Sequence, residues 1–260
     1  MPTQKRRDRI SQILEILQLT RGATIRELSR RFDVSEMTIR RDLEVLADDR
    51  KVRLVHAGAI PAEGLSDEGL FLRAPTGEST PVGEERMRIG RKAATLVEPG
   101  DIAIIDSGTT TEWLTRSLPA DLPVTILCFA LNIVIAAGQS PGRTVVFAGG
   151  SLRHETLVFE SPEGVSLIRR YRANKAFLSA GGVDAALGLT CTDPSEAELK
   201  KAAVASSQTR ILLCDSRKFG TVKPAWFADL KDLDAIVTDQ GVSLEYVEIL
   251  RELGIALHVV

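Results

Sequence analysis

Cysteine and histidine are scarce in this 260-residue chain, three of each. Cys128, Cys191 and Cys214 lie far apart and are odd in number, so neither a disulfide framework nor a zinc knuckle is encoded. His56, His154 and His258 are equally scattered, and no metal or other cofactor is expected. Long apolar runs are missing too. The longest, Val124 to Ala137, is interrupted by Thr125 and Asn132 and falls short of the ~20 residues that a bilayer span takes. The basic start, Met-Pro-Thr-Gln-Lys-Arg-Arg, is not followed by an apolar signal core, so a cytoplasmic protein with no membrane partner is expected. With 44% hydrophobic and 26% charged residues, the composition excludes collagen-like and disordered chains and allows one or two globular domains.

The net charge of -2 conceals an asymmetry. Residues 1–60 hold 13 Lys and Arg against 9 Asp and Glu, whereas the remaining 200 hold 20 against 26. A basic head on an acidic body points to a polyanionic partner for the head alone.

The head reads as three helices and a wing. Ile10, Ile13, Leu14 and Leu17 recur at helical spacing from about Arg7 to Leu19, with Gly22 as the stop. Thr24 caps a second helix to Phe32, and Ile25, Leu28 and Phe32 form its inner face. After the turn Asp33-Val34-Ser35, a third helix runs from Glu36 to about Asp48, with Ile39, Leu43 and Leu46 inward and Glu36, Met37, Thr38, Arg40, Arg41 and Glu44 outward. Two helices joined by a tight turn, the second with adjacent arginines near its start, suit entry into a major groove. Ser35 is placed to cap that helix and touch phosphate, Thr38 to meet phosphate or a thymine methyl, and Arg40 and Arg41 to reach guanine edges or the backbone. The alternating Lys51 to His56 segment before Gly58 reads as a wing whose Lys51 and Arg53 lie along the phosphates.

Arg9, Ile13 and Leu17 at four-residue spacing, followed by Ser35-Glu36-Met37-Thr38-Ile39-Arg40-Arg41-Asp42-Leu43, resemble the N-terminal signature of the DeoR family of bacterial transcription regulators. The resemblance implies a winged helix-turn-helix and double-stranded operator DNA as partner. Symmetric operators would further imply a homodimer or homotetramer.

Residues 61–82 carry repeated Pro and Gly breaks and are expected to link the head (1–60) to a second domain (83–260). That domain opens with a helix over Glu84 to Val97 and then alternates. Strands are expected at Ile102–Ile105, Val124–Leu127, Thr144–Phe147, Ala176–Ser179, Ile211–Cys214, Ala235–Val237 and Ile255–Val259. Helices are expected near Thr110–Ser117, Asn132–Ala137, Pro162–Tyr171, Ser195–Ser206 and Leu244–Leu253. This is the pattern of an α/β domain with an open, mainly parallel sheet, which binds ligands beyond the carboxyl ends of its strands.

The sharpest such loop is Asp106-Ser107-Gly108-Thr109-Thr110-Thr111, where hydroxyls and helix N-terminal amides would hold a phosphate. It has no Walker lysine, so a nucleoside triphosphate is not indicated. Other strand ends offer Asn132, Gly149 and Gly150, Gly181 to Asp184, and Asp215 to Gly220, in which Asp215 could accept sugar hydroxyls and Lys218 offset negative charge. Together they suggest a small, anionic, hydroxyl-rich ligand.

The DeoR resemblance continues here, through the Asp106–Thr111 loop, Gly149-Gly150, the Glu196-x3-Lys200 helix, Asp215 to Gly220, and Ile236 to Asp239. It implies a sensor domain of the ribose-5-phosphate isomerase and CoA-transferase fold that responds to a phosphorylated sugar, adding Glu196 and Lys200 to the site. Cys128 to Asn132, Gly188 to Cys191 and Lys218 to Ala225 are similar to the deoxyribose branch of the family, which implies deoxyribose-5-phosphate as effector. The competing reading is an aldose–ketose isomerase with an accessory DNA-binding head. Its carboxylate base would be Asp184, Glu196 or Asp215, and its electrophile Lys200 or Lys218.

Overall fold

A computed structural model describes residues 4–20, 23–49, 51–55, 58–61, 81–154 and 156–260. The chain divides into two compact units, residues 1–73 and 74–260.

The first unit contains α1 (Gln4–Thr20), β1 (Ala23–Thr24), α2 (Ile25–Phe32), α3 (Glu36–Asp48), β2 (Val52–Val55) and β3 (Gly58–Pro61). Thr24 caps α2 in a reciprocal box: its hydroxyl accepts the Glu27 N–H, and its own N–H donates to the Glu27 carboxylate at 2.8 Å. Ser35 caps α3 in turn, accepting the Thr38 N–H at 3.2 Å. The wing is more than a hairpin, because β1 joins β3 to give an antiparallel sheet in the order β1-β3-β2. Ile13, Leu17, Leu28, Ile39, Leu43 and Leu46 close the core. Gly22, His56 and residues 62–80, the greater part of the expected linker, lie outside the described residues; Pro61 belongs to β3.

The second unit begins with α4 (Pro81–Ala94), β4 (Ile102–Ile105), α5 (Thr109–Ser117), β5 (Thr125–Cys128), α6 (Leu131–Gly138) and β6 (Thr144–Phe147). A hairpin of β7 (Ser151–Arg153) and β8 (Val158–Glu160) precedes α7 (Pro162–Arg170) and β9 (Ala173–Leu178). Then follow β10 (Gly182–Asp184), β11 (Gly188–Cys191), α8 (Pro194–Ala205), β12 (Ser207–Leu213), β13 (Ala225–Ala228), β14 (Ala235–Thr238), α9 (Leu244–Glu252) and β15 (Ala256–Val259). Seven of the strands form one parallel sheet in the order β15-β14-β12-β9-β4-β5-β6. The apolar runs of the inner strands β4, β5, β9, β12 and β14 are buried, as a parallel sheet covered by helices requires, whereas the edge strands β6 and β15 are only partly covered. Short antiparallel pieces, β10-β11-β13 and β7-β8, are additions that the alternating pattern does not announce.

The strand order locates the crevice. From β4 the chain steps outward through β5 to β6, then returns to lay β9 against the opposite side of β4. The order reverses between β4 and β9, and an open α/β sheet leaves room for a ligand at such a reversal, beyond the strand ends.

Candidate functional site

The loops leaving β4 and β9 are locked together by a buried charge cluster. Asp106 is wholly buried and accepts the Ser107 N–H at 2.7 Å, the Ser179 N–H at 2.7 Å and the Ser179 hydroxyl at 3.1 Å. The Lys200 ammonium donates to the same carboxylate and to the Ser179 carbonyl at 3.1 Å, and it forms an ion pair with Glu196, one helical turn away, at 3.1 Å. Ser107 closes the ring by donating to Glu196 at 3.0 Å. Burial by itself would depress the Lys200 pKa, but the Asp106 and Glu196 charges outweigh it and hold the ammonium firmly protonated.

Above this cluster the chain turns into α5. Gly108 sits at φ +116°, a conformation that side chains rarely adopt, and being a glycine it brings no side-chain cap to the first-turn amides. Thr111 is buried and donates back to the Gly108 carbonyl at 3.0 Å, whereas Thr109 points elsewhere. Its hydroxyl accepts from the Arg86 guanidinium at 3.2 Å, and the same guanidinium donates to Asp215, beyond β12, at 3.3 Å. Burial would raise the Asp215 pKa, but Arg217 at 2.9 Å and the Arg86 and Lys218 charges more than offset that and hold it below the usual carboxylate range. Lys218 makes no side-chain hydrogen bond or ion pair among the described residues.

Asn132 ties the next loop in, donating to the Gly108 carbonyl at 3.2 Å and to buried Glu112 at 3.0 Å. Gly149 and Gly150, at the end of β6, lie against the start of α7, where Ser161 donates to the Gly149 carbonyl at 2.9 Å. A cavity of about 330 Å³ opens there, bounded by Gly149, Gly150, Ser161, Glu163, Gly164 and Leu167.

Of the residues singled out by sequence, the fold places Asp106, Ser107, Glu196 and Lys200 in one hydrogen-bonded group, Gly108, Thr111 and Asn132 in a second, and Thr109 and Asp215, bridged by Arg86, in a third. Thr110 is buried in the first turn of α5. Asp184 does not join them: its carboxylate is occupied by the Ala186 and Leu187 N–H groups at 2.9 and 2.8 Å in the β10–β11 turn. Arg86 and Ser179 went unnoticed. The signal for Arg86 was its place on the inward stripe of α4, in phase with Gly83, Ile89 and Ala93.

In the head, Glu36, Met37, Arg40 and Arg41 are exposed on α3, and the Ser35 and Thr38 hydroxyls are paired with one another at 2.8 Å. Lys51 pairs loosely with Asp49 at 3.4 Å on the surface, and the Arg53 side chain lies outside the described residues although its backbone is in β2. Asp42, the one charged residue on the buried stripe of α3, accepts from Arg6 at 2.8 Å and Arg9 at 2.7 Å, clamping α1 to α3. No helix among the described residues is long and apolar enough to cross a membrane.

Comparison with known proteins covers both units. Residues 9–63 match the family model for the DeoR-like helix-turn-helix domain, and residues 82–240 match the DeoR C terminal sensor domain. The chain is 32% identical to the deoxyribose operon repressor of Escherichia coli (strain K12), over 94% of each protein. It is 30% identical to the transcriptional regulator IolR of Bacillus subtilis (strain 168), over 96% of this chain and 98% of that one. Among solved structures, ribose 5-phosphate isomerase A from Methanocaldococcus jannaschii aligns with 53% of this chain and 54% of its own at 16% identity, with a TM-score of 0.40.

Proposed function

The chain belongs to the DeoR family of helix-turn-helix regulators, and on that premise we propose that it is a transcriptional repressor of a sugar or nucleoside catabolic operon, released from its operator by a phosphorylated sugar. Deoxyribose-5-phosphate is the first candidate, in keeping with the name of the E. coli relative. In this reading residues 1–60 grip DNA, 61–82 link, and 83–260 sense.

One observation carries the effector proposal: a half-buried guanidinium, Arg86, is held over the uncapped first turn of α5, at the point where the strand order reverses. A phosphate there would meet the α5 amides, the Thr109 hydroxyl, Arg86 and the Lys218 ammonium, which together supply charge and directed donors. Asp215 would accept sugar hydroxyls while Arg217 keeps it ionised. Asp106, Lys200, Glu196 and Thr111 are turned inward, and their role is to hold the loop that presents those groups.

The isomerase reading fares worse on the same geometry. A proton-shuttling carboxylate works best with a pKa near the working pH and an open path to the sugar carbon. Asp215 is shifted the opposite way, and Glu196 is engaged with Lys200 and Ser107.

Release follows by linkage. Effector binding that differs between DNA-bound and free forms by ~1–3 kcal/mol changes operator affinity about 5–150-fold. The test is a thermal-shift panel of deoxyribose-5-phosphate, ribose-5-phosphate, hexose phosphates and phosphorylated polyols, run beside a gel-shift release assay. One sugar phosphate should both raise the melting temperature and free the DNA. Stabilisation by none of them, or turnover of ribose-5-phosphate, would overturn the proposal.

A further inference from the structure

The crest of α3 is chemically divided. Ile39, Asp42, Leu43 and Leu46 form its buried stripe. Met37 lies two residues before Ile39, about 200° around the helix, and so stands opposite that stripe. Continuing along the crest at spacings of four, three and four residues come Arg41, Glu44 and Asp48, all exposed. The first two turns thus present a methionine with two arginines, Arg40 and Arg41, against one carboxylate, Glu36, whereas the later turns of the crest present only the carboxylates Glu44 and Asp48. DNA phosphates attract the first part and repel the second, and the positive end of the helix dipole lies on the same side as the arginines. Charge therefore favours presenting the N-terminal turns of α3, rather than the later ones, to a groove.

At that tip Met37 is the outlier. It is 58% exposed, more than the other large exposed apolar residues of the head among the described residues, Leu54 at 45% and Val45 at 36%. It is not among the residues packed on the head's core. Its polar neighbours are already engaged, since the Ser35 and Thr38 hydroxyls bond to each other and cap the helix. An unbranched thioether at the point of deepest entry has one apolar counterpart on base edges in the major groove, the thymine 5-methyl group.

We propose that Met37 is a specificity-determining residue that reads a thymine methyl in each operator half-site, a role that rests on the DNA-binding reading above. Arg40 and Arg41 supply affinity and guanine contacts around it, and the Thr38 hydroxyl keeps to its cap.

The test uses the full chain and a duplex that it selects from a randomised pool. Each thymine in turn is replaced by deoxyuridine, which removes the methyl and nothing else, and binding is followed by fluorescence anisotropy at one fixed salt concentration. At one thymine per half-site, loss of the methyl should weaken binding roughly fourfold, the equivalent of one buried methyl group (about 0.8 kcal/mol). Met37→Ala should bind several-fold more weakly and become indifferent to deoxyuridine at that position only, while Met37→Leu keeps most of the discrimination. Because Met37 touches no core, melting temperatures of the variants should match the parent. Equal deoxyuridine penalties in the parent and Met37→Ala, or no penalty at any thymine, would overturn the assignment while leaving DNA binding standing. Failure to enrich any duplex would instead remove the DNA-binding reading, and this one with it.

Discussion

Lys200→Met is the substitution that best separates a strut from a ligand contact. The ammonium is 1% exposed, shared between Asp106 and Glu196, and lies 5.4 Å from the centre of the Phe227 ring. Methionine has a similar volume and keeps most of the space filled with apolar atoms, so the loss is mainly electrostatic. Removing one partner of a buried pair costs ~3–5 kcal/mol, because the other charge is left uncompensated. Asp106 retains the Ser107 and Ser179 N–H donors, which places the cost toward the lower end. For a unit of this size each kcal/mol is worth ~2–4 °C, so the sensor transition should fall by roughly 6–12 °C in calorimetry. Adding Asp106→Asn removes the stranded charge, and the double variant should melt above Lys200→Met alone, a coupling of ~1–3 kcal/mol. The pH dependence has a definite sign. With the folded pKa of Lys200 raised above its ordinary 10.5, its stabilisation is complete below about pH 10.5 and fades as the pH climbs toward the folded value. The parent should therefore lose stability more steeply than Lys200→Met above that pH. A Lys200→Met protein with the parental melting temperature but no response to sugar phosphate would refute the reasoning and make Lys200 a direct effector contact.

Arg86→Gln should leave effector-free operator affinity within about twofold and cut sugar-phosphate affinity at least tenfold, the scale of one charge-assisted hydrogen bond, as read by thermal shift. Asp42→Ala leaves Arg6 and Arg9 without their buried partner and should cost the head about 2–3 kcal/mol, with water reaching the arginines limiting the damage. Hydrogen exchange should then accelerate in α1 and α3 while the sensor stays protected. At Gly90 an added Cβ would come within 2.5 Å of the Trp113 Cβ, 2.7 Å of the Leu114 nitrogen and 2.9 Å of the Thr110 carbonyl oxygen. Gly90→Ala should push α4 from α5 at a cost of ~1–3 kcal/mol and weaken the effector response as well, since Thr110 moves with it.

Much of the fold was legible because its driving pattern is local. Runs such as Ile102–Ile105 and Ile211–Leu213, short, apolar and alternating with helical segments, suit strands buried between helices, and the caps at Thr24 and Ser35 mark where helices begin. The small antiparallel strands were not legible. β7, β8 and β10 are three residues each, too short for an alternation to register, and Gly181 to Asp184 accordingly read as one more ligand turn when it leads into the β10–β11 hairpin.

The site shows a different limit. A motif names residue types at a strand end but not whether they face the ligand or each other, so Asp106, Thr109 and Lys200 carried equal weight. What distinguishes them is the company kept by each side chain, and some of that was present in the periodicity. Arg86 in α4, Lys200 in α8 and Asp42 in α3 all fall in phase with apolar residues on inward stripes. A charge so placed cannot remain unpaired, because desolvation costs more than the fold can spare. It must meet an opposite charge or strong hydrogen-bond partners from another element, and each of the three does: Arg86 meets Asp215, Lys200 meets Asp106, and Asp42 meets Arg6 and Arg9. The outward-facing residue obeys the converse. Met37, 58% exposed and absent from the residues packed on the head's core, carries no such demand from the fold, so its substitution tests binding rather than stability.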